Sequence, residues 1–393
     1  MPDSINSDQF RAEVRDYIDN NLPSEIRAVV AKEGSDIPKE MQRTWHRILQ
    51  KKGWGCPSWP EEHGGPGWND MQYYIFEREI ALADAPRPMV YGTGMLAPTI
   101  IEFGSDQQKQ DILPRIQNGD DFWCQGFSEP GSGSDLASLK TRAQLKGDHY
   151  LVNGSKMWTS EAHLADRMFG LFRTDSSGKK QFGITFLLLD MDTPGVEVQR
   201  IRTYDGAGPE INQVFFTDVI VPIENRVGEE HQGWTLAKYL LSLERFGTAE
   251  VSRSLRTLQR IKNFAHSHKR NNDLLSNEPE FRSRLSQCEI ELRALELTEY
   301  RLLFGGKPAG AEASLLKLRG TEIQNSILEL LHDVVAGYAL IDGSDQISVS
   351  QLPENLPEAG YIAKAYFNFR KTEIYAGSSE IQKSILAKAV LGL

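Results

Sequence analysis

The sequence predicts an α+β protein with an N-terminal helical domain, a middle β-barrel or β-sandwich domain and a C-terminal four-helix bundle. Apolar residues recur at helical spacing up to about residue 121 and again from residue 233, and short β-rich runs between turn signals fill the region between them. We therefore expect domains at 1–121, 122–232 and 233–393, each long enough to bury its own core.

The N-terminal region carries amphipathic helical patterns interrupted by one glycine- and proline-rich stretch. Phe10, Val14 and Tyr17 are spaced as on one helix face, and Pro23 ends that pattern. The run at 53–68, GWGCPSWPEEHGGPGW, predicts a compact loop filled with aromatic side chains. The helices expected here are 9–20, 38–52, 69–83, 94–103 and 106–118.

The middle region reads as strands, and the C-terminal region reads as long helices. Asn153-Gly154 is the strongest short hairpin signal in the chain, so we expect a turn there. The expected strands are 150–152, 168–173, 184–190, 196–201 and 213–221, and the expected helices are 233–269, 279–304, 311–339 and 357–391, with a loop at 340–356.

Composition excludes several classes of function. The net charge of −10 and the pI of about 5.4 argue against a nucleic-acid-binding surface, and the cluster 262–270 reads as a solvated helix end. Apolar runs such as 184–189 are too short to span a membrane. The acidic N-terminal segment lacks a signal or transit pattern, which predicts a cytoplasmic protein without membrane or nucleic-acid partners.

Metal and nucleotide-fold signatures are missing from the sequence. The three cysteines, Cys56, Cys124 and Cys288, are far apart, which predicts reduced core residues and neither disulfides nor a zinc site. His266 and His268 point to different faces of a predicted helix, so we expect no metal site there. No strand is followed by GxGxxG and no GxxxxGK[ST] occurs, which removes the ordinary Rossmann and P-loop folds.

Two motifs carry candidate ligand-binding chemistry. In QGFSEPGSGSDLASLKTR, residues 125–142, serines alternate with glycines, so a ligand can approach the backbone closely while hydroxyls bind its polar edge. In GSKMWTSEA, residues 154–162, Trp158 offers an aromatic plane beside the hydroxyl of Ser160. Taken singly, each motif has another interpretation. The first can be a plain surface turn, and the tryptophan of the second can be a core residue.

Together, at this separation and in this helical, β, helical order, the motifs resemble the acyl-CoA dehydrogenase family along essentially the whole chain. The resemblance implies FAD as cofactor and an acyl-CoA thioester as substrate. It implies that Phe127 and Ser128 contact the pyrimidine edge of the flavin, that Gly133 lies in the same binding loop, and that Ser134 reaches the pyrophosphate and thioester region. It also implies that Trp158 packs against the flavin and that Ser160 replaces the usual threonine hydroxyl donor to N5.

The expected chemistry needs a base. An α-proton next to a thioester is weakly acidic, so the site must hold a carboxylate in a dry pocket and stabilise an enolate. In much of the family that glutamate lies in the motif matched here by YAGSSEIQ, residues 375–382, where this chain has Ala376. The resemblance leaves Ala376 its backbone N–H as an enolate donor, and assigns Gly377, Ser378 and Glu380 to the flavin site.

Glu244 is the candidate for a relocated base. A branch of the family, including isovaleryl-CoA and long-chain dehydrogenases, draws its base from the middle helix just before an arginine, and LLSLERFGTA, residues 240–249, has Glu244 before Arg245. Leu240 and Leu241 lie one turn back on the same face, an apolar setting that favours a raised pKa. A solvated helix glutamate is the alternative, and Arg245 reads as an organiser of the pocket or as a structural ion pair.

The chain departs from the family where a neighbouring subunit normally binds the adenine end of FAD. Residues 266–285 lack the expected Arg, Phe, Gly order. Residues 331–340, where a glutamine- and glycine-rich turn is expected, contain one glycine, Gly337. We therefore expect a homologous second subunit to complete the site in an α2β2 heterotetramer. The chain looks like large subunits of bacterial heteromeric acyl-CoA dehydrogenases, such as pimeloyl-CoA and steroid side-chain enzymes.

The resulting expectation is an oxidoreductase of fatty acid or steroid degradation that forms a trans-2-enoyl-CoA and passes electrons to electron-transferring flavoprotein. Two alternatives stay open: an acyl-CoA oxidase, and a catalytically silent flavin-holding partner of an active homologue. The acyl group, whether linear, branched, dicarboxylic or steroid-derived, stays open as well.

Overall fold

A computed structural model describes residues 7–32, 37–206, 210–244, 247–305, 311–341 and 359–392. The side chains of residues 243, 244, 248 and 336 lie outside the described part as well.

The N-terminal region is helical. Side-chain capping boxes start two of its helices, with Asn69 and Gln72 bonding reciprocally at one and Ser105 and Gln108 at the other. A π-helical segment, Tyr91–Leu96, leads directly into the fifth helix. The helices are α1 Ser7–Asn21, α2 Ser24–Ala31, α3 Lys39–Lys51, α4 Asp70–Leu82, α5 Ala97–Phe103 and α6 Asp106–Gln117.

The expected aromatic loop at 53–68 is confirmed, and α2 is a helix that the pattern did not predict. Trp54 and Trp59 are buried, and the indole N–H of Trp59 donates to the carbonyl oxygen of Thr93 at 2.7 Å. This bond ties the loop to the π-helical segment. The proline at position 23 ends α1 but serves as the residue before α2, a position that proline tolerates.

The middle region forms one eight-stranded sheet of order β6-β7-β3-β2-β4-β5-β8, with β1 pairing parallel to β4. Strand β4 is buried along almost its whole length, as expected for the centre of a packed sheet. The strands are β1 Trp123–Gly126, β2 Arg142–Lys146, β3 His149–Ser160, β4 Arg167–Arg173, β5 Ile184–Asp190, β6 Val196–Arg200, β7 Ile211–Pro222 and β8 Arg226–Val227.

The predicted hairpin turn at Asn153-Gly154 is wrong. Strand β3 runs straight through both residues, and the register with β7 shifts between Val152 and Gly154 as a β-bulge. The Asn153 side chain exchanges hydrogen bonds with Asp218 across the pair, so the strand continues. The β2–β3 turn lies instead at Gly147, whose φ is +68°.

The C-terminal region is a helical assembly, as expected, but its first and last segments are broken. The stretch predicted as one helix at 233–269 contains two helices, and the second of them ends at Ala265. Residues 269–270 form a short strand, so the prediction of a helix end there is wrong. The helices are α7 Gly233–Glu244, α8 Val251–Ala265, α9 Pro279–Phe304, α10 Glu312–Val335, α11 Ala359–Asn368 and α12 Ser379–Leu386, and a two-residue pair of strands, β9 Lys269–Arg270 and β10 Asp273–Leu274, follows α8.

Close packing explains the break after α7. An ideal Cβ on Gly320 of α10 would lie 2.6 Å from the carbonyl oxygen of Ala249, so backbone touches backbone here. Residues 247–249 form a 3-10 turn at this contact, and the next residue, Glu250, adopts a left-handed φ of 49°. Most of the predicted loop at 340–356 lies outside the described residues. None of the described helices is long and apolar enough to cross a membrane.

Candidate active site

The first motif forms a loop directly after β1. Phe127 is buried with its ring edge-on to Phe169 and Phe186. The backbone carbonyl of Ser128 accepts a hydrogen bond from the N–H of Met157 at 2.8 Å, which joins this loop to the strand that carries the second motif. The structure therefore brings the two sequence motifs into direct contact.

The outer part of this loop is open. Gly133 and Ser134 are exposed, and an ideal Cβ on Gly131 or Gly133 would meet no atom within 4 Å. The chain's own packing therefore does not require glycine at these positions. The space in front of the backbone is available to a ligand, which agrees with the expected close approach.

An ion pair fixes the loop from beneath. Lys156 of β3 is fully buried, and its Nζ lies 2.8 Å from Oε1 of Glu129 and donates to the carbonyl of Phe127 at 3.2 Å. The backbone N–H groups of Lys140 and Thr141 also donate to the Glu129 carboxylate. Burial alone would raise the pKa of Glu129, but Lys156 and these donors hold that pKa below its usual value. Sequence reasoning missed this pair.

Trp158 is the extra residue of a second bulge in β3. Pairing with β7 passes from Met157 opposite Gln213 to Thr159 opposite Asn212, so Trp158 faces no partner. Its φ is +64°, a left-handed conformation that is costly for a residue with a side chain, and the indole is 55% exposed. The core-tryptophan alternative is therefore wrong, because this ring is presented to solvent.

The surroundings of Trp158 fit the isoalloxazine ring that the sequence implies. Ser160, two residues on, pairs with Ile211 and is partly buried. Nε2 of Gln125 and Oγ1 of Thr159 are buried and have no hydrogen-bond partner among the described residues. The exposed indole plane suits a flat ring, and unpaired polar atoms suit its polar edges.

The C-terminal motif forms a tight left-handed turn before α12. Ala376 and Gly377 have φ values of 51° and 83°, and Nε2 of Gln382 donates to both of their carbonyls at 2.9 and 3.2 Å. The Ser378 hydroxyl caps α12, and its hydrogen bond lowers the pKa of the exposed Glu380. The N–H of Ala376 is held in a defined orientation by this turn.

Helix α7 ends at Glu244, whose side chain lies outside the described residues, as does all of Arg245. One turn back, Leu240 is fully buried and Leu241 partly buried, in the same hydrophobic cluster as Phe127. The apolar stripe expected behind Glu244 is thus present, and it joins α7 to the first loop.

Arg87 is a polar residue of this region that sequence reasoning missed. An ideal Cβ on Gly247, just after α7, would lie 3.9 Å from Nη1 of Arg87. The pKa of Arg87 is raised mainly by Glu250, and Tyr375, next to Ala376, contributes the smallest of the electrostatic effects that raise it. Arg87 thus lies beside Gly247, three residues after Glu244 in the chain. The motif Pro86-Arg87-Pro88 was a usable signal, since an arginine between prolines has a restricted backbone.

Metal-binding geometry is missing from the part of the chain that the structure describes: no group of three or more His, Cys, Asp or Glu side chains converges there. The three cysteines are buried and unpaired, as predicted. His268 stacks on Phe264 beyond the end of α8 and not on a helix face.

Comparisons with known proteins identify the family. Sequence models of the N-terminal, middle and C-terminal domains of acyl-CoA dehydrogenases match residues 5–120, 124–219 and 231–391. Acyl-CoA dehydrogenase IpdE1 of Mycobacterium tuberculosis is 35% identical over 98% of this chain and 97% of its own length. Acyl-CoA dehydrogenase FadE26 of the same organism is 32% identical over 98% and 96%.

Solved structures agree. The Tcur3481-Tcur3483 steroid acyl-CoA dehydrogenase superposes with a TM-score of 0.85 at 29% identity, covering 98% of this chain and 97% of that one. The ChsE4-ChsE5 complex of Mycobacterium tuberculosis superposes with a TM-score of 0.85 at 30% identity, covering 100% and 99%. The chain therefore belongs to the acyl-CoA dehydrogenase family of FAD-dependent oxidoreductases.

Proposed function

We propose that this chain dehydrogenates an acyl-CoA thioester to the trans-2-enoyl-CoA and that Glu244 removes the α-proton. One observation carries the proposal: Leu240 and Leu241, one turn before Glu244, lie in the same hydrophobic cluster as Phe127 of the first loop, so the end of α7 adjoins the expected flavin site. A carboxylate moved from position 376 to position 244 still serves the same substrate. Ala376 itself has no acidic group.

The residues divide the work between proton removal and charge stabilisation. Leu240 and Leu241, one turn before Glu244, form an apolar stripe, and a carboxylate beside such a stripe is poorly hydrated and is therefore a stronger base. The N–H of Ala376, oriented by the turn that Gln382 ties down, donates to the thioester oxygen as negative charge develops there. For Arg245 we propose a role as an organiser of the pocket.

The flavin-binding part of the proposal rests on the two joined motifs. Phe127, Ser128, Gly133 and Ser134 would hold the pyrimidine edge and the pyrophosphate, and Trp158 would cover the ring. Ser160 would donate from its hydroxyl, and Gly377, Ser378 and Glu380 would border the ring from the C-terminal turn. When bound, FAD supplies the acceptor for the β-hydride at its N5.

Replacement of Glu244 by Gln tests the base. The purified assembly should keep its flavin and bind acyl-CoA while kcat falls by about a thousandfold or more, since the amide cannot accept the proton. Glu322→Gln, on α10, is the matched control. Preserved turnover in Glu244→Gln would instead favour the silent-partner alternative.

An acyl-CoA oxidase shares these motifs and differs in its electron acceptor. We propose electron-transferring flavoprotein as the acceptor. Turnover with that protein and without hydrogen peroxide is the expected result. Steady peroxide formation in air at the same rate would assign the chain to the oxidases.

A homologous second subunit is part of the proposal. The outer face of α9 exposes Ile290 and Leu297, both 65% exposed and seven residues apart, and Tyr300 extends this apolar stripe. Two related structures are named as two-component assemblies, Tcur3481-Tcur3483 and ChsE4-ChsE5. The missing adenine-binding motifs give a second reason for a different partner chain.

Expression alone and together with the neighbouring homologue tests this assembly. An α2β2 particle with one FAD per pair of chains is expected only from co-expression, measured by light scattering and flavin absorbance. Full flavin occupancy in a homotetramer of this chain alone would overturn the heteromer.

The substrate class follows from the relatives only as a proposal. One solved relative is called a steroid acyl-CoA dehydrogenase, so we propose a steroid-derived or other bulky acyl group. A panel of acyl-CoA thioesters with a ferrocenium acceptor, run on the co-expressed complex, measures the preference directly.

A further inference from the structure

We infer that Arg87 binds an uncharged oxygen, a carbonyl or a hydroxyl, carried by the acyl group several bonds beyond the thioester. The inference rests on the proposed function, since it assigns the far end of the substrate of the same site. It predicts an acyl group that is oxygenated but not acidic, as distinct from a plain hydrocarbon chain or a dicarboxylic acid.

The described residues use only some of the N–H donors of Arg87. Its Nη1 donates to Oε1 of Glu250 at 2.9 Å, and its Nε lies 3.3 Å from Oε2 of Glu77. A guanidinium carries five N–H groups, and no other hydrogen bond of Arg87 is made within the described part of the chain. The side chain is 39% exposed, and its Nη1 lies beside Gly247.

The loop that carries Arg87 is anchored on both sides. Oδ1 of Asp84 lies 3.0 Å from Arg256 and 2.6 Å from Arg260, both on α8. Two residues after Asp84, the carbonyl of Pro86 accepts a hydrogen bond from the buried Trp45 at 2.9 Å. Anchoring of this kind fixes a binding side chain before the ligand arrives, which is what a specificity residue requires.

Glu250, which pairs with Arg87, has an unusual backbone conformation. It holds a left-handed backbone conformation, φ 49° and ψ 35°, at the junction before α8. Such a conformation is unfavourable for glutamate and persists where surrounding structure imposes it, often at functional sites. Here it aims a carboxylate at Arg87.

The charges around Arg87 select a neutral ligand. Two carboxylates, Glu77 and Glu250, face one guanidinium, so the cluster is negative when both are ionised. A carboxylate at the end of the acyl group would be repelled. A plain alkyl end would strip water from the free N–H groups and give them no acceptor, which costs free energy. A carbonyl or hydroxyl oxygen accepts the hydrogen bond without added charge.

The reach is short. Glu244 and Gly247 are three residues apart, so their Cα atoms are at most about 11 Å apart. We take a spacing of about six bonds between the reacting carbon and the bound oxygen for the test compounds. Octanoyl-CoA, 7-oxooctanoyl-CoA and the mono-CoA thioester of octanedioic acid form a matched series that differs only at the far end.

The test uses the flavin-loaded complex and measures both kcat/KM with ferrocenium and the dissociation constant of each thioester by calorimetry. We expect 7-oxooctanoyl-CoA to be preferred over octanoyl-CoA by about 10- to 100-fold, the range expected for a hydrogen bond to a charged group, and the dicarboxylic thioester to be poorest. Arg87→Met should abolish that preference, so that the kcat/KM values of 7-oxooctanoyl-CoA and octanoyl-CoA become about equal.

Arg11→Met is the matched control, because Arg11 pairs with Glu79 on the opposite side of α4. It should leave the ranking unchanged. Arg87→Lys keeps the charge with fewer donors and should give an intermediate preference. If Arg87→Met does not fold, as judged by its melting curve, the role of Arg87 is tested by the substrate ranking in the unaltered complex and in the lysine variant.

The outcomes separate the two proposals. Turnover of all three thioesters without preference for the oxo compound, or a preference that survives Arg87→Met, overturns the role of Arg87 and leaves the proposed function standing. No turnover with any acyl-CoA counts against the proposed function, and the dissociation constants then decide the role of Arg87 by themselves.

Discussion

Lys156 and Glu129 form an ion pair inside the middle region, with Nζ and Oε1 2.8 Å apart and side-chain exposures of 0% and 7%. The pair joins β3, which carries Trp158, to the loop that carries Phe127 and Ser128. Removal of one partner leaves a buried charge without compensation, whereas removal of both does not.

A double-mutant cycle is the first prediction. Lys156→Met and Glu129→Gln should each lower the free energy of unfolding by about 3–5 kcal/mol, and the double variant should lose less than the sum. Both single variants should also bind FAD more weakly, because Lys156 holds the carbonyl of Phe127. Urea unfolding and fluorescence titration with FAD measure the two effects.

Lys180→Met is the control for that cycle. Lys180 pairs with Asp135 in the same loop, but both side chains are more than half exposed, so the loss should stay below about 1 kcal/mol. Strictly additive losses in the Lys156 and Glu129 cycle would contradict a coupled pair.

Trp158 supplies a prediction with opposite effects on stability and binding. Trp158→Gly should relieve the left-handed backbone and raise the stability of the flavin-free protein by about 1 kcal/mol, because the exposed ring loses little packing. FAD affinity should fall by about tenfold or more through loss of aromatic contact. Trp158→Phe keeps a ring and should keep most of the affinity; equal weakening in both variants would argue against stacking.

The two candidate base positions are testable against each other. In the Glu244→Gln background, Ala376→Glu should restore activity by about tenfold or more, because we propose that a carboxylate at either position reaches the same α-proton. Ala376→Gln in the same background is the control and should restore nothing. Rescue by Ala376→Gln would mean that the restored activity does not depend on a carboxylate base at position 376.

Glu299 predicts how stability depends on pH. This side chain is buried on α9, and burial raises its pKa to about 7. The folded state therefore holds a proton that the unfolded state releases near pH 4.5, so this contribution to stability is complete below pH 4.5 and is lost as pH rises through 7. Glu299→Gln should be more stable than the parent at pH 8 by up to about 3 kcal/mol and equal to it at pH 4.

Glu296, one turn earlier on α9, is the control with the opposite sign. Burial opposes its ionisation, but Arg293 and Arg78 hold its pKa below the usual value. Its contribution is present at neutral pH and is lost as pH falls through that lowered pKa. Glu296→Gln should therefore lose stability at pH 8. Melting curves at both pH values that shift the same way for both variants would refute the assignment.

Helical periodicity and turn composition were sufficient for the order of the three regions and for most helices. The pattern at 279–304 coincides with α9, because the spacing of apolar residues reflects one buried face of a continuous helix. The motifs at 125–142 and 154–162 were sufficient to name the family, because both lie on segments whose local chemistry is distinctive.

Tertiary contacts decided where local signals competed. Asn153-Gly154 favours a turn by itself, but pairing of Asn153 with Asp218 of β7 keeps it within a strand. Helical spacing continues in the sequence beyond Glu244, but residues 247–249 form a 3-10 turn where Ala249 packs against Gly320 of α10. In both cases the partner is 65 or more residues away, beyond the range of any local pattern.

The sequence by itself determined which chemical groups are present. These are the serine- and glycine-rich motif at 125–142, the Trp158 motif, Glu244 before an arginine, and alanine at position 376. Only the tertiary structure decided that Arg87 lies between Glu77 and Glu250 and beside Gly247. The physical reason is distance along the chain. Arg87 and Glu250 are 163 residues apart, and only the packing of α4 against α8 brings the loop and the helix junction together.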